Sequence, residues 1–158
     1  MSKIEDRLKE LGYDLPELAA PVAAYVPAVT SGNYVYTSGQ LPFVKGELPA
    51  TGKVSDSGAE GFVDPETAQK LASLSALNAL AAVKSVIGDL DRVTRVVKVV
   101  GFVSSDPSFT GQPAVINGAS LLLGEVFGEA GVHARSAVGV PVLPLDSPVE
   151  VEIIVEYA

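Results

Sequence analysis

The chain has 158 residues, with 11 Lys and Arg against 19 Asp and Glu, a formal charge of −8 at pH 7 with its one histidine neutral. Hydrophobic residues make up 47% and charged residues 19%, which suits one folded domain and excludes disorder as the main state. With no cysteine and one histidine there is no disulfide framework, thiolate metal site, thiol nucleophile or multi-histidine metal centre.

Ser2 and Glu5 fit a capping box, and Ile4, Leu8 and Leu11 then recur at helical spacing until Gly12, predicting a short amphipathic helix in an N-terminal extension of residues 1–20. The same stretch, MSKIEDRLKE, is charged where a signal peptide has its apolar segment, and no run reaches ~18 uninterrupted apolar residues. The expectation is a cytoplasmic protein with no membrane association. From Tyr25 to Thr37 the chain reads as two β segments, AYVPAV and YVYT, turned by Thr30-Ser31-Gly32-Asn33. Residues 45–64 are rich in Gly, Ser and Asp and read as a long loop outside the compact domain, either a functional lid or a tolerated insertion.

Asp64-Pro65-Glu66 is a helix start: a capping carboxylate, a proline at the first position and an acid facing the helix dipole. That helix should run to Ile87, stop at Gly88, and be covered on more than one side, since it is apolar or small nearly all round. A β run follows at 93–105, then a second long helix from Gln112-Pro113 to Gly131 with Val115, Ala119, Leu122, Leu123, Val126 and Phe127 in its stripe. Two strands, 133–140 and 149–157, close the chain. The order α-β-β-α-β-α-β-β predicts an α+β domain spanning 1–158, a mixed sheet with both long helices on one face.

Alternation puts Val138 and Val140 on one face of the first closing strand and Arg135, Ala137 and Gly139 on the other. In the second, Val149, Val151, Ile153 and Val155 share one face, Glu150, Glu152, Ile154 and Glu156 the other. If the valine faces meet the helices, Arg135 and the glutamates lie together on the far side. Ala137 and Gly139 would there allow close approach of another chain, making that face a subunit interface. Arg135 either grips a planar carboxylate with two parallel hydrogen bonds or ties strands together by pairing with a glutamate.

Other candidates are weaker. Gly46–Lys53 superficially looks like a phosphate loop, but five residues separate its glycines and Val54 replaces the required hydroxyl. His133 has no Ser–His–Asp spacing behind it and reads as a partly exposed strand-entry residue rather than a base. The negative charge, scattered aromatics and unclustered cations argue against a nucleic-acid partner. No D-x-D-x-D-G loop offers a calcium site.

Tyr25, GNYVYTSGQLP at 32–42, VVKVVGFVSS, Asn117, ARSAVGV at 134–140 and LPLDSPVEVE at 143–152 together resemble the RidA/YjgF family, reactive-intermediate (imine/enamine) deaminases also labelled L-PSP endoribonucleases. The resemblance implies a chorismate-mutase-like fold and a homotrimer with ligand sites in clefts between subunits. It implies hydrolysis of small 2-imino acids, such as those tautomerising from 2-aminoacrylate and 2-aminocrotonate, to 2-keto acids and ammonia, with no metal or cofactor. By the same resemblance the carboxylate-binding arginine is Arg135, the glutamate beside the attacking water is Glu150, and Tyr25, Ser38, Gly39 and Asn117 line the pocket. Ala137 stands where archetypal members have cysteine, which implies a changed pocket shape. The extension and the 45–64 segment typify a divergent branch. Two alternatives stay open, a non-enzymatic trimer binding small carboxylates such as 2-keto acids, and an endoribonuclease.

Overall fold

The computed structural model describes residues 2–18 and 24–158, so the end of the expected 1–20 extension lies outside the described residues. Helix α1 (Lys3–Glu10) begins as its sequence predicts, with Ser2 Oγ accepting the Glu5 N–H at 3.0 Å. The Asp91 carboxylate accepts the N–H groups of Lys3 and Ile4, each at 2.9 Å, and Leu8 is fully buried. Glu5 pairs with Lys84, and Arg7 Nε donates to the Glu125 carbonyl at 3.2 Å. The arm is therefore strapped across the helical layer rather than hanging from it.

Strands β1 (Ala28–Ser31) and β2 (Tyr34–Thr37) form a hairpin turned at Gly32-Asn33, Gly32 with φ +59°. The first strand starts later than its apolar pattern suggested. Before Ala28 the partner of the chain is no longer a β2 backbone ladder: Ser38 takes over, its N–H donating to the Pro27 carbonyl and its hydroxyl to that of Val26, both at 2.7 Å. Residues 45–64 are not an excursion either. Val54 is fully buried, bridges both Val63 and Ser105, and exchanges backbone hydrogen bonds with Ser104 and Asp106. The stretches 45–47 and 56–62 stand out in solvent, while Gly52, Val54, Ser55 and Val63 are buried.

Helix α2 (Pro65–Ile87) is capped by Asp64, whose carboxylate accepts from Thr67 Oγ1 at 2.7 Å and Thr67 N–H at 3.1 Å and is held below the usual carboxylate range by those bonds. By length and apolarity it could cross a bilayer, but 67% of its most apolar window is buried, which is the double-sided coverage its composition predicts. Strand β3 (Val93–Ser104) leads into α3 (Gln112–Phe127). That helix ends four residues earlier than its apolar stripe suggested, because Gly128 at φ +62° turns the chain into a 3₁₀ turn over Gly128–Gly131. Strands β4 (Ala134–Val140) and β5 (Val149–Tyr157) complete one sheet in the order β1-β2-β5-β3-β4, with only the β3–β4 pair parallel. The α+β mixed sheet with two long helices on one face is as expected, and β5 sits at its centre.

Register corrects the expectation for β4. Val99, Gly101 and Val103 of β3 pair with Ile153, Val151 and Val149 of β5 and with Arg135, Ala137 and Gly139 of β4. Val99, Val103, Val149 and Val151 are fully buried beneath the helices, so Arg135, Ala137 and Gly139 lie on the helical side. Val138 lies with Phe102 and Glu150 on the open side. The small residues make room for α3: a Cβ on Gly139 would come within 2.7 Å of Gln112 Nε2, and one on Gly101 within 2.5 Å of Ile116 Cδ1. Packing against α3 within the chain accounts for Gly101 and Gly139.

Candidate functional site

The candidate residues fall into two groups. The first hangs on the seam between α3 and β4. Arg135, half-buried on the edge strand, points its NH1 nitrogen at α3, donating to Asn117 Oδ1 at 2.7 Å and to Ser120 Oγ at 3.3 Å. Asn117 and Ser120 stand three residues apart, one turn of the same helix face. Among the described residues the Nε and NH2 nitrogens of Arg135 have no hydrogen-bond partner, and no carboxylate pairs with the guanidinium. The strand-tying Arg–Glu pair is thus not formed. Ala137, partly buried, packs against the core two residues further along.

The second group lies where β2 runs out beside β5. The ladder slips there: Tyr36 pairs with Ile154, yet Gln40 bridges Val151, and Thr37 Oγ1 fills the gap by accepting the Ile153 N–H at 3.0 Å. This irregularity brings Gly39 against Glu150, so close that a Cβ on Gly39 would lie 2.5 Å from Glu150 Oε1. Glu150 is half-buried, and burial, reinforced by the neighbouring Glu152 carboxylate, pushes its carboxyl above the ordinary glutamate range. Ser38 reaches back to Val26, next to Tyr25, whose side chain is 59% exposed.

The two groups do not meet within one chain. Arg135 is in register with Val99 on the helical side, whereas Glu150 is in register with Phe102 on the open side, three residues further along β3. Arg135 therefore does not share a face with the glutamates. The open side carries Tyr36, Val100, Phe102, Val138 and Ile154 interspersed with Lys98, Ser136, Glu150 and Glu152, a mixed surface with large apolar side chains in water.

Two further polar residues join the arginine group: Ser120, which the sequence reading missed, and His133, which it set aside as a strand-entry residue. His133 Nε2 lies 2.9 Å from Ser120 Oγ, and its Nδ1 lies 2.6 Å from the Gly131 carbonyl. The signal was present: Ser120 is one helical turn from Asn117, and His133 is two residues from Arg135 along the strand direction. Among the described residues no three His, Asp or Glu side chains converge as a metal site.

The fold and these two groups define a YjgF-like chorismate-mutase-like chain. Its residues 5–157 match the family model described as "YjgF/chorismate mutase-like, putative endoribonuclease". The chain is 43% identical to Protein TCP17 of Trypanosoma cruzi, over 98% of its length and 94% of that protein's. It superposes with a TM-score of 0.89 on Atu1372 of Agrobacterium tumefaciens, a protein of unknown function, at 48% identity and covering 99% of this chain and 93% of that one. Against Escherichia coli TdcF with bound serine the TM-score is 0.62 at 27% identity, covering 90% and 94%. The chain belongs to the YjgF/RidA family.

Proposed function

We propose that the protein hydrolyses small 2-imino acids to 2-keto acids and ammonia, in sites completed between copies of the chain in a homotrimer. The observation that carries this reading is the state of Arg135: one nitrogen is tied to α3, and the Nε–NH2 edge is left free among the described residues. Such an edge matches a carboxylate bidentately and fixes its plane. The bound serine of TdcF, itself an α-carboxylate ligand, supports the same ligand class.

With the carboxylate held, C2 of the imine is fixed relative to the protein. Glu150, a carboxyl whose ionisation is opposed by burial, is suited to take a proton from water as its oxygen attacks C2, and to return one to nitrogen. The carbinolamine then expels ammonia and leaves the keto acid. Because Glu150 and Arg135 face opposite sides of one sheet, the glutamate serving a given arginine comes from another copy. The open sheet face, with Tyr36, Phe102, Val138 and Ile154 set among Lys98, Glu150 and Glu152, is the surface through which the copies pack. Tyr25, Ser38 and Gly39 accompany Glu150 in lining the cleft, and Asn117 and Ala137 accompany Arg135.

The test is keto-acid formation from 2-aminoacrylate, generated in place by a serine dehydratase in the presence of an amine trap. Wild type should outcompete the trap and Arg135→Ala should not, with both variants folded. If neither does, while 2-oxobutanoate still binds wild type, the chain is a carboxylate binder without turnover. RNA cleavage lost with Arg135→Ala would instead support the activity in the family's description.

A further inference from the structure

We infer that Ser120 and His133 form a positioning pair that holds the guanidinium of Arg135 in the rotation at which its free edge meets the ligand. The inference deepens the carboxylate-binding reading above and rests on it for the ligand class. Direction follows from donor and acceptor chemistry. The Gly131 carbonyl only accepts, so the proton of the neutral imidazole sits on Nδ1, 2.6 Å away. Nε2 is then an acceptor, and the Ser120 hydroxyl donates to it at 2.9 Å. With its proton committed to His133, Ser120 Oγ turns lone-pair density toward Arg135 NH1, which donates to it at 3.3 Å. Asn117 Oδ1 accepts the other NH1 proton at 2.7 Å.

Both NH1 protons are thereby used, one on each of two helix residues a turn apart. A planar guanidinium fixed at two points cannot spin, so the Nε and NH2 protons are presented in one plane. Remove the hydroxyl and one anchor is lost. Remove the imidazole acceptor and the hydroxyl proton is free to turn toward the arginine, where it repels the NH1 proton. The serine alone is therefore not enough: its orientation is set by the histidine, and the histidine's by the Gly131 carbonyl at the end of the 3₁₀ turn. The arrangement has the atoms of a serine–histidine nucleophile pair, but Ser120 lies inside α3, away from the helix N-terminus whose N–H groups would receive an oxyanion. Positioning is the role the geometry favours.

The experiment uses the full chain and two readouts. The first is ¹⁵N NMR of the arginine side chains in ligand-free protein, with Arg135→Lys identifying the Arg135 signals. The second is titration with 2-oxobutanoate and steady-state kinetics on 2-aminoacrylate. Slow guanidinium rotation is expected in wild type and lost in Ser120→Ala and His133→Phe. Ser120→Thr, which keeps the hydroxyl, and His133→Gln, whose Oε1 replaces the Nε2 acceptor, should restore it. Loss of a hydrogen bond to a charged group should raise KM and weaken 2-oxobutanoate binding about tenfold, with kcat little changed. A freely rotating Arg135 in wild type, or Ser120→Ala matching wild type in both rotation and KM, overturns the inference. Equal falls in kcat for all four variants, with rotation unaltered, overturn it too. A held guanidinium in a wild type that neither binds nor turns over these compounds leaves the positioning pair standing and removes the proposed substrate class instead.

Discussion

Gly118→Ala tests whether the close contact between the two long helices also supports the arginine group. Gly118 lies mid-way along α3, and a Cβ there would sit 1.8 Å from the Gln69 carbonyl oxygen of α2 and 2.8 Å from its carbonyl carbon. A tolerable carbon–oxygen contact is about 3.3 Å, so the helices must part by roughly 1.5 Å. Both sides of the clash are backbone, and neither yields by changing rotamer. Overpacking of this kind costs about 3 kcal/mol, the upper end of the usual range, and threatens the Gln69 Nε2 bond to the Ala114 carbonyl at 2.8 Å. Alanine's better helix propensity returns about 1 kcal/mol, leaving a net loss near 2 kcal/mol and a Tm lowered by roughly 4–8 °C in a domain of this size. Thermal unfolding followed by circular dichroism, at matched protein concentration, reads this directly. Because Gly118 sits between Asn117 and Ser120, keto-acid formation should fall as well, at temperatures where the variant is folded. An unchanged or raised Tm would show that the helices have slack and refute the steric reasoning.

The remaining predictions concern charge and assembly. Asp91 is held below the ordinary carboxylate range chiefly by the Ile4 and then the Lys3 N–H, so the stability it lends is complete above the ordinary aspartate pKa of about 3.9 and vanishes as pH falls through its lower folded value. Proteolysis within residues 3–12 should therefore rise below about pH 4, and Asp91→Asn should show that susceptibility at neutral pH. Glu150 has the opposite sign: its raised folded pKa favours the protonated form, so its contribution is present at low pH and lost as pH rises through that value. Glu150→Gln should match or exceed wild-type Tm at pH 8, with the gap closing on acidification, while kcat falls. Mixed Arg135→Ala and Glu150→Gln chains, each inactive alone, should regain about a quarter of wild-type turnover if every site draws its arginine and glutamate from different copies of a closed ring. No regain would argue for sites built within one chain.

The element order was legible because its signals are local. Asp64-Pro65-Glu66 opens α2 and Gly88 closes it, and a proline and capping carboxylate act on the backbone beside them. The face of Arg135 was not legible, because alternation gives only relative sides and both sides of this sheet carry large apolar residues. Val138 resembled core in the sequence, yet it lies with Phe102, Val100 and Ile154 on the open side. The parallel pairing of β3 with β4 and its register decide the matter, and neither leaves a mark in the β4 sequence. The same holds for residues 45–64, where one buried valine, Val54, in a polar stretch carries the attachment to the sheet. Of the site residues, Asn117 and Arg135 do meet, and Gly39 meets Glu150. The division between the pairs follows from sheet topology alone.

The position of β5 has a consequence for biosynthesis. Chains grow from the N-terminus, and β5, the middle strand of the sheet between β2 and β3, is made after the other four. Until residues 149–157 emerge, the β1–β2 hairpin and the β3–α3–β4 unit have no ladder joining them, and the groove that receives Val149, Val151, Ile153 and Val155 stays open beneath α2. Closing it brings Tyr34 to Glu156 across more than a hundred residues, a costly loop whose reward comes only when the whole strand docks. A growing chain of this protein thus exposes two unfinished sheet edges and an apolar groove from the completion of β3 until β5 docks, the kind of surface that nascent-chain chaperones bind.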